Sequence, residues 1–188
     1  MKRKSLLFML LFALMAPWAA NAQSVQIGDG TGTNNYLPST STWNYSVSQQ
    51  IYTAEEIDAS GNITSIAFYN AGTEKARKFN IYMAHTTKSA FESTTDWIAL
   101  TDADMVYQGA EAVAMVANAW TTFTFDTPFA YNGTDNLVIG VLDLTGSWSS
   151  GMNCRAFAAA DQALYKYQDN GAYGIDGTYN GTVQSATM

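Results

Sequence analysis

The sequence predicts an all-β protein, a two-sheet antiparallel β-sandwich of jelly-roll type. Apolar and polar residues alternate with a period of two in about ten short segments, as in strands with one buried face. Asn-Gly and Asp-Gly dipeptides, which tolerate the positive φ angles of tight turns, separate several of these segments. No segment after residue 22 shows a long helical period. An up-and-down barrel is the alternative architecture.

Residues 1–22 have the layout of a secretory signal peptide. Lys2, Arg3 and Lys4 precede the apolar run 6–16, and the small-residue segment 20–22 offers a cleavage site. The run is shorter than the roughly 20 residues that a membrane-spanning helix needs. We therefore expect the leader to be removed, which leaves a secreted or cell-surface protein with no membrane span.

Residues 23–188 suit a single β-sandwich module. They carry six Lys and Arg against 16 Asp and Glu, a net charge of -10. Nucleic acid is excluded as a partner because phosphate binding needs a basic face. Cys154 is the only cysteine, so no intrachain disulfide forms, and its strand context predicts a buried, unreactive thiol.

The predicted elements follow one another with short connections. A nearly continuous apolar run at 137–142 predicts a central strand that is covered on both faces. Short helical turns are predicted at 54–57 and 89–95. A last strand begins at 182, so the chain either ends in a natural tail or continues into a larger modular protein. Before residue 182, strands are predicted at 25–28, 46–53, 63–70, 79–85, 105–108, 110–116, 121–126, 136–143, 153–158 and 163–168.

Catalytic motifs are scarce in this sequence. His85 is the only histidine and closes a predicted strand, where a bond to nearby backbone is expected instead of acid–base chemistry. Adjacent Glu55 and Glu56 face opposite ways in a strand, so they form no glycosidase pair unless they lie in a turn. The sequence therefore predicts a protein that is not an enzyme.

Calcium is the one metal that the residues suggest, as a structural ion in a loop. Asp29 lies in a Gly-rich loop, and Asp102 and Asp104 precede a predicted strand. Carboxylates and carbonyls on a turning loop are the oxygen ligands that calcium prefers. A third acidic cluster combines Asp169 and Asp176. The alternative for every cluster is turn formation without metal.

Aromatic residues in loops are the candidate ligand-binding residues. Trp148 lies in a polar Gly/Ser loop, where a ring is free to stack on a sugar or enter a protein pocket. Tyr36, Trp43 and Tyr45 crowd another loop, although packing is favoured for Trp43 and Tyr45. The tryptophans at 97 and 120 are expected to fill the core.

Six segments carry a family resemblance. They are 36–38, 43–52, 63–69, 81–86, 95–97 and 120–129. Together they resemble the jelly-roll modules of secreted Bacteroidetes proteins, similar to the adhesin or haemagglutinin domains attached to gingipain-type proteases. The resemblance covers about 27–182 and implies a β-sandwich that binds or displays, without catalysis.

The combined expectation is an adhesin-like module that contacts a glycan or a host or surface protein. The first alternative is a spacer module of a larger surface protein without a ligand of its own. The second is a glycoside-acting enzyme, which requires two facing carboxylates in a groove.

Overall fold

The computed structural model describes residues 23–28 and 30–178, and the backbone of 182–187. This part of the chain is all-β with antiparallel sheets, as predicted. One helix, α1 (Ala54–Ile57), and one 3₁₀ turn (Asp102–Asp104) accompany the strands. The strands are Gly32–Asn34 (β1), Tyr45–Tyr52 (β2), Gly61–Asn70 (β3), Lys75–Arg77 (β4), Phe79–Thr86 (β5), Met105–Gln108 (β6), Val113–Met115 (β7), Ala119–Tyr131 (β8), Asn136–Asp143 (β9), Cys154–Gln168 (β10) and Thr182–Thr187 (β11). The predicted leader, 1–22, lies outside the described residues.

The main sheet contains nine strands, and its neighbours are mostly not consecutive in the chain. The hydrogen-bonded order is β6-β5-β9-β2-β10-β3-β8, and β1 and β11 also pair with β10. A separate two-stranded sheet consists of β4 and β7. An up-and-down barrel would place consecutive strands side by side, so that alternative is wrong. The sheet nearly closes, because the backbone N–H of Gln108 on β6 donates to Asp126 on β8 at 2.8 Å.

β10 links the two halves of this sheet. The sequence predicts two strands at 153–158 and 163–168, but the structure has one, with an irregular register between Ala158 and Ala163. Asp161 lies in the irregular stretch with a φ of 56°. The first half of β10 pairs with β1 and β3, and the second half pairs with β2. The bend therefore allows one strand to join both halves.

An inner core fills the space between the two halves of the sheet. Alternate residues of β8 point inward, so Phe123 and Phe125 are buried while Thr122 and Thr124 are exposed. Other buried members come from β3, β5, β9 and β10: Phe68, Phe79, Ile81, Met83, Leu137, Ile139, Val141 and Cys154. Burial of these side chains stabilises the fold by roughly 25 cal/mol per Å² of apolar surface.

A second, outer core covers the opposite face of β9, which confirms the prediction for this strand. Val138 and Leu142 pack there with Leu100 and Ile175 from two long connections. A Cβ on Gly140 would lie 2.7 Å from Leu100 and 3.2 Å from Ile175, so the connections press directly on the strand. Both faces of β9 are therefore apolar because both are covered.

The predicted helical turn at 54–57 is confirmed as α1. Thr53 and Glu56 form a capping box: the Glu56 carboxylate accepts from the Thr53 N–H at 2.7 Å, and the Thr53 hydroxyl accepts from the Glu56 N–H at 3.2 Å. This bonding satisfies two of the backbone N–H groups at the start of the short helix.

Several local predictions are wrong. Residues 25–28 form no strand and 89–95 form no helix, while the strand at 110–116 shrinks to β7. Neither β1 nor β4, three residues each, was predicted. Trp97 is buried as expected, but Trp120 is 51% exposed. Trp120 alternates with Thr121 on β8, and the alternation places the indole on the outer face.

Candidate functional site

A buried ion pair lies beneath the loops that carry the candidate aromatic residues. Arg77 at the end of β4 and Asp143 at the end of β9 are 1% and 0% exposed. The Arg77 Nε donates to Asp143 Oδ2 at 2.8 Å, and one of its terminal nitrogens donates to the same oxygen. Burying two charges is costly, so such a pair depends on further hydrogen bonds.

The guanidinium of Arg77 supplies two of those bonds, one to each aromatic loop. It donates to the carbonyl of Ser147 at 3.2 Å and to the carbonyl of Trp43 at 3.4 Å. Ser147 immediately precedes Trp148. One buried side chain therefore holds the backbone of both loops.

Asp143 satisfies its remaining lone pairs with neighbouring polar groups. It accepts from the N–H of Thr145 at 3.0 Å and from the Thr145 hydroxyl at 2.6 Å. The hydroxyl of Ser39 donates to the oxygen that also binds Arg77. The network fixes the start of the Trp148 loop and the segment that leads to Trp43.

The two loops also bond directly to each other. Gly146 donates its N–H to the carbonyl of Asn44 at 2.9 Å, and Ser149 donates to Ser41 at 2.6 Å. Gly146 has a φ of 72°, and a Cβ there would lie 3.2 Å from the Tyr45 hydroxyl. Tyr45 therefore packs beneath the glycine of the Trp148 loop, and the two loops form one surface.

Trp148 projects from this surface into solvent. Its side chain is 69% exposed, the largest value among the exposed large apolar residues. Ser147 and Ser149 on either side of it are held by the bonds described above. An exposed indole on a fixed backbone offers apolar area for stacking at a low entropic cost.

Trp43 and Tyr36 belong to a ladder of stacked rings, formed with Tyr165 and Tyr167. The ring of Trp43 lies 4.5 Å from that of Tyr167, and Tyr36 lies 4.5 Å from Tyr165. Tyr165 and Tyr167 share one face of β10 because they are two residues apart. The ladder gives Trp43 and Tyr36 a packing role and leaves both half-buried.

A polar depression of about 650 Å³ lies beside the loop surface. Thr42, next to Trp43, and Gly151, at the end of the Trp148 loop, both line it. Thr33, Thr73 and Asn153 contribute hydroxyl and amide groups. The Asn153 side-chain oxygen has no hydrogen-bond partner among the described residues. The surface thus combines an exposed ring with nearby neutral polar groups.

Of the predicted calcium ligands, the structure describes Asp102 and Asp104. Within 23–28 and 30–178, no three His, Cys, Asp or Glu side chains form a group that could hold a metal ion. Asp104 accepts from the N–H and hydroxyl of Thr101 at 2.8 and 2.9 Å. Asp102 begins the same 3₁₀ turn. Asp29 lies outside the described residues.

The acidic residues of the third cluster accept backbone hydrogen bonds. Asp169 accepts from the Asn44 N–H at 3.2 Å, and Asp176 accepts from the Thr178 N–H at 3.4 Å. The Asp176 contact is a turn interaction of the kind that the alternative predicts, whereas the Asp169 contact joins two segments that are distant in the chain.

Three side chains that could support catalysis, those of His85, Cys154 and Glu56, make other contacts or are unreactive. His85 Nε2 accepts from the N–H of Asn132 at 3.2 Å, which is the strand-end backbone bond that the sequence predicts. Burial raises the pKa of the Cys154 thiol to about 12, so no thiolate forms near neutral pH. Glu56 is committed to its capping box and to Gln162.

Comparison of the chain with models of protein families, with curated proteins and with solved structures finds no significant match. The resemblance to adhesin modules therefore remains a prediction from the residues. In the portion of the chain that the structure describes, neither helix has the length and apolar character needed to cross a bilayer.

The sequence predicts neither the buried ion pair nor the part of the aromatic ladder that Tyr165 and Tyr167 form. Asp143 ends the otherwise apolar strand 136–143, and Arg77 is one of six basic residues after the leader. Tyr165 and Tyr167 alternate within a predicted strand, which signals a shared face. These patterns identify the residues but not their partners, which come from distant parts of the chain.

Proposed function

We propose that this protein is an exported, non-catalytic module of jelly-roll type that binds a glycan at the cell surface. The observation that carries the proposal is Trp148, 69% exposed on a loop whose backbone is held by a buried arginine. A ring exposed to this extent contributes little to the core. Its fixed position suits contact with a ligand.

The chemistry of the surface favours a sugar. The apolar face of a pyranose ring stacks on an indole, and its hydroxyl groups bond to neutral amides and hydroxyls. Trp148 supplies the ring, and Thr42, Thr73 and Asn153 of the adjacent depression supply the polar groups. Proteins are the second class of ligand, since an exposed tryptophan also suits a protein pocket.

A glycan array probed with the purified protein and with Trp148→Ala tests this function. We expect the protein to bind a restricted set of neutral glycans, and Trp148→Ala to lose that binding. Val116→Ala is the control, because Val116 is another exposed apolar residue and directly follows β7. Equal binding by the protein and Trp148→Ala would contradict the proposal.

Two further arms separate the alternatives. Binding to an array of host proteins, without binding to any glycan, would identify a protein as the ligand. Absence of binding on both arrays would favour a spacer module without a ligand of its own. Loss of glycan binding in EGTA would assign a structural calcium ion.

A further inference from the structure

A second group of exposed side chains forms a row across four strands of the main sheet. Thr33 on β1 pairs with Arg155 on β10, and Tyr69 on β3 pairs with Trp120 on β8. Cys154 pairs with Asn70, which places Arg155 beside Tyr69. The row runs from the rim of the polar depression, which Thr33 lines, to the outer strand β8.

Ring contacts hold the side chains of this row in place. The guanidinium carbon of Arg155 lies 3.9 Å from the centre of the Tyr69 ring. Trp120 meets Tyr69 edge-on, with ring centres 5.6 Å apart and planes at 80°. The Tyr69 hydroxyl donates to the carbonyl of Asn118 at 3.0 Å. The contacts orient the arginine and the indole before any ligand binds.

Arg155 is a positive group in an acidic protein. The residues after the leader carry a net charge of -10, and Arg155 is exposed. Among the described residues the ion pairs are Arg77–Asp143 and Lys88–Asp96, so Arg155 has no carboxylate partner there. A guanidinium stacked on a ring keeps its N–H edge free to bind a carboxylate through two bonds.

We infer that the row of Arg155, Tyr69 and Trp120 binds an acidic saccharide. Trp120 stacks on one sugar ring, and Arg155 binds the carboxylate of a neighbouring sugar. The guanidinium carbon of Arg155 lies 3.9 Å and the Trp120 ring centre 5.6 Å from the Tyr69 ring centre, so one sugar ring and the carboxylate of the next sugar can reach both groups. This site is distinct from the Trp148 surface and does not require it.

The surface around the row carries small polar side chains. Along the same face, β8 presents Thr122 and Thr124, and β3 presents Ser65, all exposed. A neutral sugar would leave the guanidinium unpaired. Nucleic acid carries a phosphate on every nucleotide, and a row with a single guanidinium offers no basic face for such a chain.

Calorimetric titration with acidic and neutral oligosaccharides tests the inference. The acidic probes are hyaluronan and galacturonan oligosaccharides, and the neutral probe is a chitin oligosaccharide of the same length. We expect at least one acidic probe to bind about tenfold more tightly than chitin, and its affinity to fall as salt rises. Failure of both acidic probes to bind, or equal binding of all three, would overturn the inference.

Three variants assign the binding to the row. Arg155→Gln and Trp120→Ala should each weaken the acidic probe by about tenfold or more, while Arg155→Lys, which keeps the charge but loses the fork, should lie between. Lys88→Gln is the matched control, because it removes a positive charge that is not part of the row, and it should keep nearly full affinity for the acidic probe. Unchanged affinity in Arg155→Gln would overturn the inference, and loss of affinity in Trp148→Ala alone would move the acidic ligand to the loop surface. Circular dichroism confirms that each variant is folded.

Discussion

Trp43 and Ser147 share one hydrogen-bond donor, the guanidinium group of Arg77, although more than 100 residues separate them in the chain. The same guanidinium forms a buried ion pair with Asp143, the last residue of β9. The candidate binding loops are therefore anchored to the interior of the protein. The anchor, Arg77 with Asp143, is buried, and the binding residue, Trp148, is exposed. We therefore expect substitutions in the anchor to lower stability and substitution of Trp148 to lower binding.

Loss of the anchor should strongly destabilise the protein. Asp143→Asn leaves the charge of Arg77 buried without its counter-ion, so we expect the free energy of unfolding to fall by about 3 to 5 kcal/mol. Urea denaturation followed by circular dichroism measures the change. Asp96→Asn is the control, because the Lys88–Asp96 pair is partly exposed and screened by solvent, and its loss should lower stability far less. Equal losses in the two variants would show that the buried pair is not the anchor.

Removal of the exposed indole should leave stability intact. We expect Trp148→Ala to change the free energy of unfolding by no more than about 0.5 kcal/mol. Trp97 is 8% exposed within the outer core, so Trp97→Ala should cost about 3 to 5 kcal/mol. The same urea experiment compares them. A large loss in Trp148→Ala would assign that residue to packing instead of binding.

The thiol of Cys154 should be unreactive in the folded protein. Its pKa, raised by burial to about 12, excludes the thiolate at pH 8. We expect one equivalent of Ellman's reagent to react in urea and almost none in buffer. Rapid reaction of the native protein would show that the thiol is accessible.

The same raised pKa predicts a loss of stability at alkaline pH. The thiol pKa is roughly 8.5 in an unfolded chain, so the unfolded state releases its proton first. The contribution of the Cys154 thiol to stability is therefore fully present below about pH 8.5, and it is lost as the pH rises towards 12. Tyr173, whose pKa burial also raises to about 12, acts in the same direction. Cys154→Ala should show a shallower decline between pH 9 and 11 in urea titrations, and an identical decline would exclude the thiol as a contributor.

The bend in β10 should depend on the backbone at Asp161. Its φ of 56° is in the left-handed region, and its carbonyl accepts from the N–H of Phe91 at 2.8 Å. A β-branched side chain is strained there, so we expect Asp161→Val to be about 1 to 2 kcal/mol less stable than Asp161→Gly. Thermal unfolding of the two variants measures the difference. Equal stability would mean that the bend does not require this conformation.

The sequence allowed the strands with regular patterns to be predicted. Residues 136–143 were predicted to their limits, and their two-sided burial followed from the apolar run. The short strands β1 and β4 were not, because three residues are too few to show a period. Asp161 in mid-strand interrupts the alternation, and β10 was therefore predicted as two strands.

The site was less predictable than the strands. Trp148 could be identified because its Gly/Ser loop offers no buried position. Trp120 was expected in the core because it lies just before the predicted strand 121–126, whereas β8 begins at Ala119 and its alternation places Trp120 on the face opposite to Phe123 and Phe125. The contact between Arg77 and Asp143 depends on the order of strands in the sheet, which local patterns do not encode.

The most direct test of the account is the indole N–H resonance of Trp148 during titration with the neutral glycan that the array selects. Residues 23–188 contain four tryptophans, and Trp148→Phe identifies its signal in the spectrum of ¹⁵N-labelled protein. We expect the Trp148 signal to shift with saturation while that of buried Trp97 stays fixed. A glycan that binds and saturates without moving the Trp148 signal would contradict it.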